Sequence, residues 1–249
     1  MTELDKLRAE HQPDAIRLRL AARKEHRYLG DAILGAVDGS VTTFAVVAGA
    51  VGAQLSGGVV IVLGVANLVA DGFSMAVSNY LGTKSEHEYV EKARNTEQHH
   101  IRHVPEGERE ELRQIFAKKG FTDDVLDKIV DVITRNHPLW VETMLQEEHG
   151  LQTNGRHPVR AALATFVAFA TFGLIPLLPF LIPQLAGPLR FTSSCVLTGL
   201  AFAGVGVLKA HVLERPWARS GLETLLTGAV AAALAYGVGA WLRSAFGIL

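Results

Sequence analysis

Two apolar runs near the N-terminal end, Ala32–Val51 and Gly57–Leu81, are each long enough to cross a bilayer, and each carries an aspartate near its middle, Asp38 and Asp71. An ionised carboxylate at the bilayer centre costs at least ~2.5–3.5 kcal/mol even on the lenient insertion scale, so such a residue faces a protein interior and marks a path for cations or protons. In the second run Asn67, Asp71, Met75 and Asn79 recur at every fourth position and fall along one side of a helix. In the first run Asp38 is followed one turn later by Thr42. Gly35 and Gly39 form a small-xxx-small pair that admits a close helix neighbour, and with Ala45, Ala48 and Gly49 this face is expected to meet the first span of a second copy across a two-fold axis. The alternative for Asp38 is an N-cap at the membrane edge, with the helix starting at Gly39. The mostly apolar stretch Ala32–Val37 upstream favours an internal position.

Hydrophobic residues make 49% of the chain and charged residues 20%, and the charges are segregated into blocks. Further spans are expected over Val159–Ile182, Phe191–His211 and Leu222–Leu242, each near the ~20 residues a spanning helix needs. Pro176, Pro179 and Pro183 should kink or end the third span, and Gln184–Pro188 reads as a tight turn outside the membrane. Of the 24 Lys and Arg, only Arg190 and Arg243 fall on the far side if the N-terminus is cytoplasmic. The excess of positive charge on the inner side therefore puts the N-terminus in and the C-terminus out.

The net charge of −1 points to no polyanionic partner, and no nucleic acid is expected. The single cysteine, Cys195, lies in an expected span and excludes a disulfide framework or a cysteine-based zinc site. No cleavable signal peptide is expected; Asp14–Tyr28 suggests instead an amphipathic helix along the inner membrane surface.

Between the second and third spans, Lys84–His157 holds seven of the ten histidines and many acids. Ser85–His103 should continue the second span as a polar helix. Pro105 then starts Glu106–Lys119, which Gly120 ends. Thr122 caps Asp123–Asn136, and His137-Pro138 introduces Leu139–His149, closed by Gly150. The expected organisation is all-α: a cytoplasmic segment 1–30, two spans in 31–83, a helical metal-binding bundle in 84–157, and three spans in 158–249.

Three pairs in that bundle have ligand spacing on one helix face: Glu97 with His100, Glu108 with Glu111, and Met144 with Glu148. Carboxylate and imidazole suit borderline divalent ions, and a thioether adds affinity for softer ones. Each pair alone suits equally a solvated face, or ion pairs with Arg94, Arg109 or Arg113.

The run Asp38-Gly39-Ser40-Val41-Thr42-Thr43-Phe44-Ala45-Val46-Val47-Ala48-Gly49, followed by Ala66-Asn67-Leu68-Val69-Ala70-Asp71-Gly72-Phe73-Ser74-Met75-Ala76, resembles the vacuolar iron transporter family. Pro105-Glu106-Gly107-Glu108-Arg109-Glu110-Glu111, Lys119-Gly120-Phe121 and Glu148-His149-Gly150-Leu151 resemble its cytoplasmic domain in order and spacing. The resemblance implies a five-span homodimer exchanging cytoplasmic Fe2+ for protons, with no resident cofactor and no enzymatic activity. It places Asp38 and Met75 on the translocation pathway, alongside Asp71, Asn67 and Thr42 of the polar stripe. It makes Glu97, Glu108, Glu111, Met144 and Glu148 ligands in the bundle.

Two positions depart from the family pattern. His100 stands where a second glutamate is usual, and Leu145 where a second methionine often follows. A neutral imidazole in place of a carboxylate favours Zn2+, Co2+ or Ni2+ relative to a harder site, so Mn2+, Co2+ and Zn2+ are alternative cargoes. Glu97-Gln98-His99-His100 also has the Glu-x-x-His form of ferritin-like di-iron oxidases, but that architecture needs two such motifs and the chain offers one. The setting implied is a bacterial plasma membrane, or a vacuolar membrane in a eukaryote.

Overall fold

The computed structural model describes residues 2–21, 28–153, 155–185, 187–213 and 217–247. Among them the fold is all-α, with five helices long and apolar enough to cross a membrane.

Two short helices lead in. Helix α1, Glu3–Glu10, opens on a capping box in which Asp5 N–H donates to the Thr2 hydroxyl and the Asp5 carboxylate accepts from Thr2 N–H at 3.0 Å. Helix α2 spans Pro13–Ala21. The single amphipathic helix expected over Asp14–Tyr28 is therefore only partly present, since α2 ends at Ala21 and residues 22–27 lie outside those described. Leu18 and Leu20 are both exposed, because apolar and basic residues that alternate along a helix do not collect on separate faces.

Helix α3, Leu29–Gly52, begins well before Asp38, so that residue is internal to the helix and not its cap. Helix α4, Gly57–His103, starts at Ser56, whose hydroxyl accepts from Val59 N–H, and runs unbroken for 47 residues, about 70 Å at 1.5 Å per residue. No proline interrupts it, and its sequence passes from apolar to charged near Lys84.

Three short helices fold back on its polar end. Helix α5, Pro105–Lys118, stops where Gly120 takes a φ of 94°. Helix α6, Asp123–Thr134, follows Thr122, which occupies the cap position without a side-chain hydrogen bond. Helix α7, His137–Glu147, is capped by the Asn136 side chain, which accepts from Leu139 N–H at 3.2 Å, and Gly150 (φ 64°) turns the chain out of it. Ile101, Leu112, Leu126, Val130, Trp140, Val141, Met144 and Leu145 form their common core. The helices around this core carry exposed charged faces, and each core side chain contributes roughly 1.5–3 kcal/mol when buried from water.

Helix α8, Pro158–Leu174, tightens into a 3-10 segment, Ile175–Leu181, where Pro176 and Pro179 lack the N–H groups that an α-helix would use. Helix α9, Gly187–Leu213, begins ahead of the expected Phe191 because Pro188 sits comfortably in a first turn. Helix α10 spans Trp217–Phe246.

Helix α3 is wedged between α8 and α10, and glycines make the approach possible. A Cβ at Gly35 or Gly39 would overlap the backbone carbonyls of Thr165 or Phe169, and one at Gly52 would overlap that of Tyr236. This corrects the expectation that the Gly35/Gly39 face meets a second copy of the chain. Those glycines, with Ala48 and Gly49, are used inside one protomer, because a small-xxx-small pattern permits close packing without naming the helix that accepts it.

Where the bundle meets the spans, the chain leaving the bundle is tied to them. Arg156 Nη1 lies 2.6 Å from Oδ1 of the buried Asp31, and Asn79 Nδ2 donates to the same oxygen at 3.0 Å and to Thr165 Oγ1 at 2.6 Å.

Candidate metal centre

The membrane stripe is assembled from α3 and α4. Asp38, Thr42, Asn67, Asp71 and Met75 are all half-buried. Asn67 Nδ2 lies 3.4 Å from Thr42 Oγ1 and 3.5 Å from Thr43 Oγ1, while the Thr42 hydroxyl donates to the Asp38 carbonyl at 2.9 Å. Asp71 is the charged group close enough to Asp38 to repel it. Met75 packs at the margin of the membrane core formed by Val47, Val60, Leu68 and Phe169. Asn79, the fourth residue of the stripe, is committed to Asp31 and Thr165.

The second constellation lies at the far end of α4. Glu97 and Glu108 are both almost fully buried, at 1% and 3% exposure, and one oxygen of each lies within 4.8 Å of the other. His100 Nδ1 is 3.2 Å from Glu108 Oε1, so one oxygen each from Glu97 and Glu108 and one nitrogen of His100 converge within 4.8 Å. His149 Nε2 is 2.9 Å from Glu97 Oε1 and 3.8 Å from Glu148 Oε2, and these three residues form a second convergent group that shares Glu97 with the first. The remaining oxygens, Glu97 Oε2 and Glu108 Oε2, are buried with no hydrogen-bond partner.

Electrostatics agree with a site short of positive charge. Burial, reinforced by Glu97, Glu111 and Glu148, pushes the Glu108 carboxyl up to about 7. Burial and then Glu97 raise Glu148, and the hydrogen bond to Glu97 raises His149. The arginines that could have neutralised the cluster are engaged elsewhere: Arg94 with Glu91, Arg109 with Asp131, and Arg113 with Asp127 and Glu110.

Of the bundle residues singled out by spacing, Glu97, His100, Glu108 and Glu148 are brought together in two groups that share Glu97, one with His100 and Glu108 and one with Glu148. Glu111 acts on Glu108 and Glu148 electrostatically from an exposed position outside both convergent groups. Met144 is wholly buried in the bundle core beside Leu145. His99 and His103 stack on each other, with ring centroids 4.1 Å apart, and belong to neither group, though the His99 ring meets that of His100 edge-on at 6.3 Å. Helical spacing gives His149 no ligand partner, because it sits beyond the end of α7, where Gly150 turns the chain and its ring reaches back to Glu97 on α4. The signal available was its place next to Glu148 and before a glycine.

The sequence model of the VIT family matches residues 29–240. A vacuolar iron transporter of Toxoplasma gondii is 30% identical over 262 residues, spanning 99% of this chain and 87% of its own length. Vacuolar iron transporter 1 of Arabidopsis thaliana is 33% identical over 208 residues, 83% of this chain and 82% of its own. A vacuolar iron transporter of Centaurea cyanus is 31% identical over 225 residues, 88% of this chain and 91% of its own.

Proposed function

The chain belongs to the VIT family, and from that premise we propose that it carries a divalent metal ion, Fe2+ in the first place, out of the cytoplasm in exchange for protons. Its relatives bear the name vacuolar iron transporter, and the five apolar helices supply a multi-pass membrane body. The observation that carries the reading is the continuity of α4. One unbroken helix bears Asp71 and Met75 in the membrane and Glu97 in the bundle, with Glu97 about 39 Å from Asp71 and about 33 Å from Met75 along its axis. Metal collected by the bundle is thus delivered along the same rigid element that lines the path.

The steps follow from charge. Buried carboxylates in the bundle bind the ion and raise its concentration at the cytoplasmic mouth. The ion then sheds water and passes to Met75 and Asp38. A buried carboxylate there holds a proton or a metal ion but not both, because either one neutralises the same charge, and that competition couples the two fluxes. Asp71, Asn67 and Thr42 continue the polar lining.

A second copy of the chain completes the path. Asp38 and Asp71 are only half-buried in one protomer, and a carboxylate left facing lipid is costly. The adjoining face of α4 presents Val62, Val69 and Phe73, all more than 60% exposed, to such a partner. The N-terminus and the bundle lie in the cytoplasm, in keeping with the distribution of Lys and Arg, and the membrane is the plasma membrane in a bacterial host or the vacuolar membrane in a eukaryotic one.

His100 against Glu108 favours a broader cargo that includes Co2+ and Zn2+ beside Fe2+ and Mn2+. Uptake of each of these ions into proteoliposomes under an imposed pH gradient tests the reading. Metal flux with opposite proton flux is expected, and no flux of any of the four ions would overturn it.

A further inference from the structure

Helices α3, α9 and α10 enclose a cavity of about 560 Å³, within the size range of ligand sites. Phe44, Ala48 and Phe202, all buried, form its floor, while Ala229, Ala233 and Tyr236 of α10 are exposed at its rim. The cavity is therefore a groove that opens sideways from the membrane body. It extends from Phe191 to Phe202 on α9 and from Tyr236 back to Leu225 on α10, about 16 Å along each helix axis.

The lining selects what can fill it. No charged residue takes part, so the groove offers water and metal ions too few partners to stay. Where it opens, the bilayer presents acyl chains. A chain that leaves lipid for the groove gains no hydrophobic free energy, because it passes from hydrocarbon to hydrocarbon. It gains contact with walls that would otherwise face a void.

Length and position identify the chain. The hydrocarbon core is ~30 Å thick, so the groove covers about half of it, the depth that the lipid of one leaflet reaches. Phe191 lies four residues inside the start of α9 at Gly187, on the membrane side away from the bundle. On that side Arg243 follows Tyr236 by seven residues along the same face of α10, about 10 Å nearer the helix end. Trp241 is 61% exposed beside it, as aromatic side chains are at the level of the headgroups. Arg243 has no acidic partner among the described residues, whereas Arg190, the other cation on that side, donates to the Pro183 carbonyl. The face assigned above to a second copy lies on α4, which lines no part of the groove.

We infer that the groove binds one phospholipid from the leaflet opposite the bundle, with an acyl chain along Phe44 and Phe202 and its phosphate at Arg243. Because the chain is as well solvated outside the groove as in it, selectivity resides in the headgroup. An anionic phospholipid is preferred over a zwitterionic one, whose ammonium group offsets the phosphate. The inference requires the membrane body alone and is independent of the ion carried.

The test gives the delipidated full chain in detergent equal amounts of phosphatidylglycerol and phosphatidylcholine, and reads retention by native mass spectrometry. One phosphatidylglycerol per chain is expected, favoured about fivefold, the discrimination that one basic residue supplies at a membrane surface. Arg243→Gln should level the two lipids. Ala233→Phe, which puts a ring into the groove from its exposed rim, should abolish retention of both. A second measurement on the parent makes the result independent of whether either variant folds. Phosphatidylglycerol with a diazirine in its acyl chain is photolysed in proteoliposomes, and adducts should concentrate on 191–202 and 225–236 severalfold over the exposed Leu163 and Val167 of α8. Unchanged headgroup preference in Arg243→Gln, or adducts spread equally over α8, α9 and α10, would overturn the inference. Adducts missing from the groove because a second copy covers it would do the same.

Discussion

Arg156 Nη1 sits 2.6 Å from Asp31 Oδ1, joining the strand of chain that leaves the bundle to the first turn of the first span, across 125 positions of sequence. Asp31 is buried and Arg156 about a third exposed. Removing one partner of such a pair strands a buried charge, which is worse than removing both. Arg156→Ala should therefore lower the thermal midpoint of the detergent-solubilised protein, and Asp31→Asn added to it should recover much of the loss. Equal midpoints for the single and double variants would show that the pair is not coupled.

The raised carboxyl of Glu108 predicts a pH dependence in the metal-free protein. A carboxylate whose folded-state pKa lies above its ordinary 4.5 stabilises the fold fully below that value and loses the contribution as pH rises through about 7. Chelator-treated protein should melt at a lower temperature at pH 8 than at pH 6, and Glu108→Gln should flatten that difference. Metal affinity should move the opposite way and tighten as pH rises, because the proton competes with the ion. Calorimetry at the two pH values reads both.

Glycine packing on α3 predicts which substitutions the membrane body tolerates. Gly39→Ala places a methyl group against the Phe169 backbone, which cannot move aside as a side chain tip can. It should disrupt the seat of α8 on α3 and reduce the yield of folded protein. Gly30→Ala, where nothing lies within 4 Å of the added group, should be neutral. Cysteines that cross-link two protomers should follow the opposite, more open face of α3, at Leu34, Val41 and Ala45, and should fail at Gly35 and Gly39.

Much of the architecture was legible because local signals agreed. Pro105 and Pro158 mark helix starts, Gly120 and Gly150 take the left-handed turns that end helices, and the absence of any break between Gly57 and His103 makes α4 one rod. The prolines after Leu174 tighten that span rather than only ending it. What was not legible depended on contacts distant in sequence. Nothing local pairs Asp31 with Arg156. Gly35 and Gly39 signal close packing without saying against which helix. His149 becomes a neighbour of Glu97 only once α7 has folded onto α4. Periodicity reports which residues share a face, and not what that face meets.

Met144 offers a discriminating contrast with the acidic residues. Its side chain is wholly buried among Leu112, Trp140 and Leu145, so Met144→Leu, which nearly conserves volume, should cost less than about 1.5 kcal/mol. Chemical denaturation of the full chain measures that cost. Zinc and Fe2+ affinities of the same variant then report whether the thioether contributes binding of its own.

Coupled exchange by Asp38 is the step on which the transport reading depends, and its charge can be removed with little change in shape. Metal-for-proton exchange should be measured in proteoliposomes containing the parent protein or Asp38→Asn, with folding and oligomeric state checked in detergent. Loss of both metal and proton flux in a folded, assembled Asp38→Asn protein is the predicted result. Exchange at the parental rate and stoichiometry would contradict it and move the coupling role to Asp71.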